Sequence, residues 1–90
     1  MHDWKIKVYP NPVVDLLNIE LNLISANDQI NILLYDSSGS RVDGIGIYDV
    51  DVTSGILKYD IDVSYLSPGI YYVQTTIGSE SELKKIVVVN

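Results

Sequence analysis

Apolar side chains fall at every second position of this chain, in short runs repeated along its length, and that pattern limits what it can fold into. It is clearest where Leu17, Ile19, Leu21 and Leu23 alternate with Asn18, Glu20 and Asn22. A period of two lines up one face of an extended strand, whereas an amphipathic helix needs a period near 3.6. The same rule groups Trp4, Ile6 and Val8 against Lys5, Lys7 and Tyr9. It also groups Leu57, Tyr59, Ile61 and Val63 against Lys58, Asp60 and Asp62. Half-buried strands of this kind must pair into sheets with their apolar faces turned together.

Turn chemistry separates the runs. Pro10-Asn11-Pro12 ends the first, because neither proline donates a ladder hydrogen bond and Asn11 before a proline is pushed to extended geometry. This rigid corner is expected to carry the chain from one sheet to the other. Ser25-Ala26-Asn27-Asp28 and Asp36-Ser37-Ser38-Gly39-Ser40 bracket a third strand, Gln29 to Tyr35, with Ile30, Ile32 and Leu34 inward. Leu33 and Tyr35 make its other face unusually apolar. In Arg41 to Val52, Gly44 and Gly46 weaken the strand and predict a bulge or a close backbone approach. Thr53-Ser54-Gly55 turns the chain again. After Asp62, two runs rich in β-branched and aromatic residues flank Gly78-Ser79-Glu80-Ser81-Glu82, a hairpin signal. Pro68-Gly69 punctuates its entry, and the second run reaches the last residues, leaving a terminal strand end that a partner could grip. About seven short strands and no convincing helix predict an all-β, seven-stranded antiparallel β-sandwich of immunoglobulin-like type. The Cys…Trp…Cys mark of true immunoglobulin domains is missing.

Ninety residues make one small domain, which buries only roughly 60–65% of its unfolded surface. Six Lys+Arg against twelve Asp+Glu give a net charge of −6, a balance that repels nucleic acid and anionic lipid. The absence of Cys removes disulfides, thiolate chemistry and cysteine metal sites. No apolar run approaches the roughly 18–20 residues that cross a bilayer as a helix. Met1-His2-Asp3-Trp4-Lys5 has no apolar stretch of a signal peptide and reads as a start or linker remnant leading into the first strand, with the domain proper over residues 6–90. An export signal, if the domain is exported, then belongs to a longer parent chain.

Three motifs carry a family resemblance. Val8-Tyr9-Pro10-Asn11-Pro12-x-x-Asp15-x-Leu17-x-Ile19 opens the chain, and Leu34-Tyr35-Asp36-Ser37-Ser38-Gly39 with Arg41 and Val42 lies in the middle. Leu66-x-x-Gly69-x-Tyr71-x-Val73 and then Lys84-Lys85-Ile86-Val87-Val88 close it. In this order and at these separations they resemble the type A C-terminal sorting domain of the type IX secretion system of Bacteroidetes. Family members commonly place the basic residue directly after the glycine of the middle motif, whereas here Ser40 precedes Arg41. The resemblance spans about residues 6 to 90 and independently implies a seven-stranded sandwich. It implies a non-catalytic module without cofactor, fused behind an N-terminal passenger that enters the periplasm by its own signal. The outer-membrane translocon then recognises the folded module. A sortase-type cysteine peptidase at the cell surface removes it, often joining the passenger to anionic lipopolysaccharide. The product is secreted or held at the surface, and the module itself does not insert into the membrane.

The other constellations have simpler readings. Asp49/Asp51 and Asp60/Asp62 each set two carboxylates roughly 6.5–7 Å apart on one strand face, a spacing that suits an inverting glycosidase or a weak Ca²⁺ site. Alternation with buried residues already explains it, and a solvated acidic face is the favoured reading. His2 is the single histidine, beside the chain start and without a partner motif, so no catalytic or metal role is assigned to it. Gly44-x-Gly46 lacks the third glycine and the helix of a nucleotide fingerprint. Seven Tyr and one Trp could build a sugar-stacking platform, but core rings with bonded hydroxyls are the commoner outcome in a small sandwich. Core positions are expected for Trp4, Tyr59 and Tyr71, with Tyr9, Tyr35 and Tyr72 open. Leu66-Ser67-Pro68-Gly69 before Tyr71 also resembles the tyrosine corner of fibronectin-like sandwiches, which alone would fit the alternative function, an adhesion, carbohydrate-binding or spacer module. Lys84-Lys85 reads as edge protection on physics alone, and as part of the export address once the resemblance is added. The expected core comprises Leu17, Ile19, Leu21, Ile32, Leu34, Tyr59, Ile61, Tyr71 and Val73. In the last strand, parity allows either Ile86 and Val88 or Val87 and Val89 inward, and the resemblance selects the first pair.

Overall fold

The computed structural model describes residues 4–23, 29–51 and 55–90, with side chains for all of these except 23 and 43–51. Seven strands follow one another: β1 (Trp4–Tyr9), β2 (Leu16–Leu23), β3 (Gln29–Asp36), β4 (Arg41–Asp51), β5 (Gly55–Asp62), β6 (Gly69–Ile77) and β7 (Glu80–Val88). They form two antiparallel sheets, β1-β2-β5 and β4-β3-β6-β7. The inward faces share one core: Trp4, Ile6, Leu17, Ile19, Leu21 and Ile61 meet Ile30, Ile32, Leu34, Tyr71, Val73, Ile77, Ile86 and Val88. Each fully buried aliphatic side chain stabilises the fold by roughly 1.5–3 kcal/mol, so these alternating positions are the principal reason the two sheets stay together. β1 starts at Trp4, which is buried, and two residues of the 1–5 segment therefore belong to the sheet.

Three expectations need correction. Pro10-Asn11-Pro12 does not carry the chain between sheets, because β1 and β2 pair with each other in one sheet, Trp4 opposite Leu23 through Tyr9 opposite Asn18. The segment instead swings out to the other sheet, touches β7, and returns. Alternation reports which side chains share a face but not which strand lies alongside, so the sequence left this undecided. Tyr59 is half-buried and packs against the core from its rim, since alternation sets the face a side chain shares but not how far the opposite sheet covers it. The final hairpin turns on two residues, Gly78-Ser79, because Ile77 already pairs with Glu80. Glu80 and Glu82 thus belong to β7, where an outer strand tolerates charge.

The irregularity predicted around Gly44 and Gly46 is present. Between Ile30 and Ile32 and again between Leu33 and Tyr35 the β3–β4 register shifts. Leu33 lies opposite Gly46 and Tyr35 opposite Arg41, so the extra residues fall in β4. Ile86 and Val88 face inward, as the family pattern suggested, while Lys85 is exposed. The Ser25–Asp28 turn, Thr53-Ser54, His2 and the side chains of Tyr48, Asp49, Val50 and Asp51 lie outside the described residues, as does Val52.

Candidate functional site

Asn11 joins segments from opposite ends of the chain. Its carboxamide carries a C=O and an N–H, the same pair a peptide group offers, and it uses both on the outer edge of β7. Val87 N–H donates to Asn11 Oδ1 at 2.9 Å, and Asn11 Nδ2 donates to the Lys85 carbonyl at 3.0 Å. The backbone continues what the side chain begins: Val13 N–H donates to Val87 O at 2.8 Å and Val89 N–H to Val13 O at 2.9 Å. Val13 lies parallel to Val88 and is fully buried. The Pro10–Val13 segment is thus a short surrogate strand on β7. Both Tyr9–Pro10 and Asn11–Pro12 are cis. Asn18 Nδ2 donates to the Tyr9 carbonyl at 3.2 Å, holding the start of this segment against β2.

The neighbouring turn is tied to the C-terminal residue. Asn90 Nδ2 donates to the carbonyls of Val63, Ser64 and Leu66 at 3.1, 3.0 and 2.8 Å. Asn90 is therefore fastened across the β5–β6 connection. Val63 N–H donates to the Asp15 carbonyl at 2.8 Å, so Asp15 contributes its backbone to the same end of the molecule. Asp62 accepts from Ser64 N–H at 2.9 Å and from its hydroxyl at 2.6 Å, and these bonds to the charged form hold the carboxyl below its ordinary value. That carboxylate shapes a turn. Among the described residues no group of three or more His, Cys, Asp or Glu could hold a metal.

Tyr71 donates its hydroxyl to the Ser67 carbonyl, four residues upstream, at 2.7 Å, while its ring is buried. The tyrosine-corner bond anticipated from Leu66 to Tyr71 is thus formed. Gly69 opens β6 opposite Val88 with φ +154°, a region that side chains with a Cβ rarely adopt. Gly39, at φ +91°, closes the β3–β4 turn. Asp36 organises that turn, accepting from Ser38 Oγ at 2.6 Å and from the N–H groups of Ser38 and Ser40, each at 3.0 Å. The Ser38 hydroxyl, then the Ser40 N–H, lower the Asp36 pKa. Ser40, the residue that departs from the family pattern, is thus built into the turn before Arg41 pairs with Tyr35.

Residues 7–89 match the family described as the secretion system C-terminal sorting domain. The chain belongs to this family. Such a domain is the non-catalytic C-terminal sorting signal of the type IX system, and it marks proteins that are secreted or exported to the cell surface. Against curated proteins the sequence finds no significant match. The sorting domain is similar in fold to part of dimeric latent PorU from Porphyromonas gingivalis, at 16% identity and a TM-score of 0.69. That likeness covers 96% of this chain and 9% of PorU.

The sorting domain gathers its motifs at one end. Asp36 lies opposite Tyr71 and Tyr71 opposite Ile86, so the Gly39 turn, the start of β6 and the end of β7 are neighbours. Asn11 binds the first motif to the last. Gly39 stands apart from that bond, beside a recess of about 380 Å³ on the outer sheet face, lined by Tyr35, Asp36 to Gly39, Tyr72, Gln74 and Leu83. Leu66 is half-buried against the core, and Val73 is buried. Tyr35 and Tyr72 are half-buried cross-strand neighbours, and Tyr9 is exposed. Val13, Asn18 and Asn90 were missed by sequence reasoning. Val13 directly after Pro12 was a weak apolar signal, whereas an asparagine at the chain end has no signature of its own.

Proposed function

We propose that this sorting domain docks in folded form with the outer-membrane translocon through the end of the sandwich where the first and last motifs meet. Lys84, Lys85 and Val87 of β7 provide the address, with Tyr9 to Pro12 shaping it. Leu66, Gly69, Tyr71, Val73, Ile86 and Val88 act through the fold, as do Gly39 and Asp15 through their turns. One observation carries this reading: Asn11 bonds to Lys85 and Val87 across 74 and 76 residues of sequence. A passenger precedes the module in its parent protein, and a sortase-type peptidase at the cell surface removes the module after passage. The burial of Trp4 supports counting all of β1 in the module, beside the 6–90 span read from the sequence. An immunoglobulin-like topology is supported by the strand order. The first, second and fifth strands make one sheet, while the third, sixth and seventh lie together in the other, joined there by the fourth.

The test fuses the domain behind a reporter in a cell that has the type IX system. Deleting Lys84 to Asn90 leaves the reporter in the periplasm, while the intact fusion reaches the surface. Efficient surface delivery of the truncated fusion overturns the assignment and promotes the adhesion-module alternative.

A further inference from the structure

The protein carries a net charge of −6, yet four of its six Lys and Arg residues sit on two strands, Lys5 and Lys7 on β1 and Lys84 and Lys85 on β7. These are outer strands of different sheets and do not pair. Between them runs a trough of about 390 Å³ lined by Ile6, Lys7, Val8, Tyr9, Asn11, Lys84 and Lys85. Its charged lining is entirely cationic. Lys84 is tied to Glu82 at 3.8 Å, whereas among the described residues Lys7 and Lys85 form no ion pair.

Next to this trough, β7 carries backbone groups that its pairing with β6 does not use. The bonds made by Asn11 and Val13 show that Lys85, Val87 and Val89 turn groups away from β6. Antiparallel ladders alternate, and the β6–β7 register runs unbroken from Gly69–Val88 to Ile77–Glu80. The N–H and C=O of Ser81 and Leu83, and the N–H of Lys85, therefore point out the same way. The surrogate strand stops at the Lys85 carbonyl, so one half of the β7 edge is covered, while among the described residues nothing bonds to the outward groups of the other half. The Leu83 side chain beside that open half is 58% exposed.

We propose that the trough between β1 and β7 receives an extended acidic segment of a partner protein, which adds as a strand to the open half of β7. Its backbone takes the outward groups of Ser81 to Lys85, and its carboxylates lie against Lys7 and Lys85. Strand addition supplies affinity through main-chain bonds, and the lysines select an acidic sequence. This rests on the sorting reading only for its biological meaning, because the binding itself is measured on the isolated chain.

The probe is a blocked eight-residue peptide alternating glutamate with valine, titrated into the isotopically labelled 90-residue protein and followed by NMR. Amide signals shift over Lys7 to Tyr9 and Ser81 to Lys85. With peptide about tenfold above its Kd, exchange of the Leu83 and Lys85 amides slows about tenfold. Raising salt from about 0.05 to about 0.5 M weakens binding several-fold, and Lys7→Glu with Lys85→Glu abolishes it. No binding, shifts on Tyr35, Tyr72 and Gln74 instead, or an equal response to a peptide with lysine in place of glutamate overturns the proposal. In the reporter fusion, loss of delivery by the double variant, shown folded by its spectrum, supports the trough as the docking site. Delivery that persists without peptide binding overturns it, while the separate Lys84–Asn90 deletion decides the sorting role.

Discussion

Replacing Asn11 by Ala removes both arms of the bond between the first and last motifs without touching the core. Two hydrogen bonds are lost, to Val87 N–H and to Lys85 O, at 2.9 and 3.0 Å. A typical intramolecular hydrogen bond contributes about 0.5–1.5 kcal/mol net. Asn11 is exposed, and water reaches both orphaned backbone groups, so no buried polar group is stranded. The low end of that range applies to each bond, and the sum is about 1–2 kcal/mol. In a domain of this size a loss of 1 kcal/mol lowers Tm by about 4–8 °C. Urea unfolding measures the stability change, with the slope m unchanged because the surface exposed on unfolding is the same. Amide exchange gives the local readout: Val87 N–H loses its acceptor and exchanges faster, while Val13 N–H, which donates to the Val87 carbonyl, responds less. A variant as stable as the parent, with Val87 exchange unaltered, refutes the surrogate-strand reasoning. So does a loss above about 4 kcal/mol, which two solvent-exposed hydrogen bonds cannot supply.

Other outcomes follow from single positions. Tyr71→Phe costs about 1 kcal/mol through the bond to Ser67, while Tyr71→Ala costs roughly 3–5 kcal/mol through loss of the ring from the core; equal costs for the two variants contradict this division. Thr75 is fully buried, and its hydroxyl has no hydrogen-bond partner among the described residues. Thr75→Val therefore raises stability by about 1 kcal/mol in denaturant unfolding, and destabilisation by this variant refutes the assignment. Asp36 and Asp62 have pKa values lowered below 3.8 in the folded protein by bonds to serine hydroxyls and amides. The unfolded state consequently binds protons first on acidification. The stability from both groups is present above that ordinary value and is lost as pH falls through the lower folded values. Unfolding curves of Asp36→Asn and Asp62→Asn are flatter with pH over that acidic window, and unchanged slopes count against the turn bonds.

Much of this molecule is legible in strand periodicity. Leu17, Ile19 and Leu21, Ile32 and Leu34, and Tyr71 and Val73 are buried as alternation requires, because a strand has two faces and only one can meet the core. The β7 parity was not legible that way. From Ile86 to Val89 both faces are apolar, and alternation is silent where neither face is polar. The sheets resolve it by placing Ile86 opposite buried Tyr71. Tyr59 obeyed the alternation yet only packs against the core from its rim, because parity fixes which face a side chain is on and not how much of that face the opposite sheet covers. The three motifs were readable as motifs, each within a short stretch of chain. Their meeting was not. Asn11 reaches Lys85 and Val87, and Asn90 reaches Val63 to Leu66, only once the sheets have set those backbone groups in range. Local composition determined which segments would be strands and which faces would be wet. Strand order, the partly covered β7 edge and the cationic trough beside it came from long-range packing, where a hydrogen bond between distant residues depends on every strand that positions its two ends.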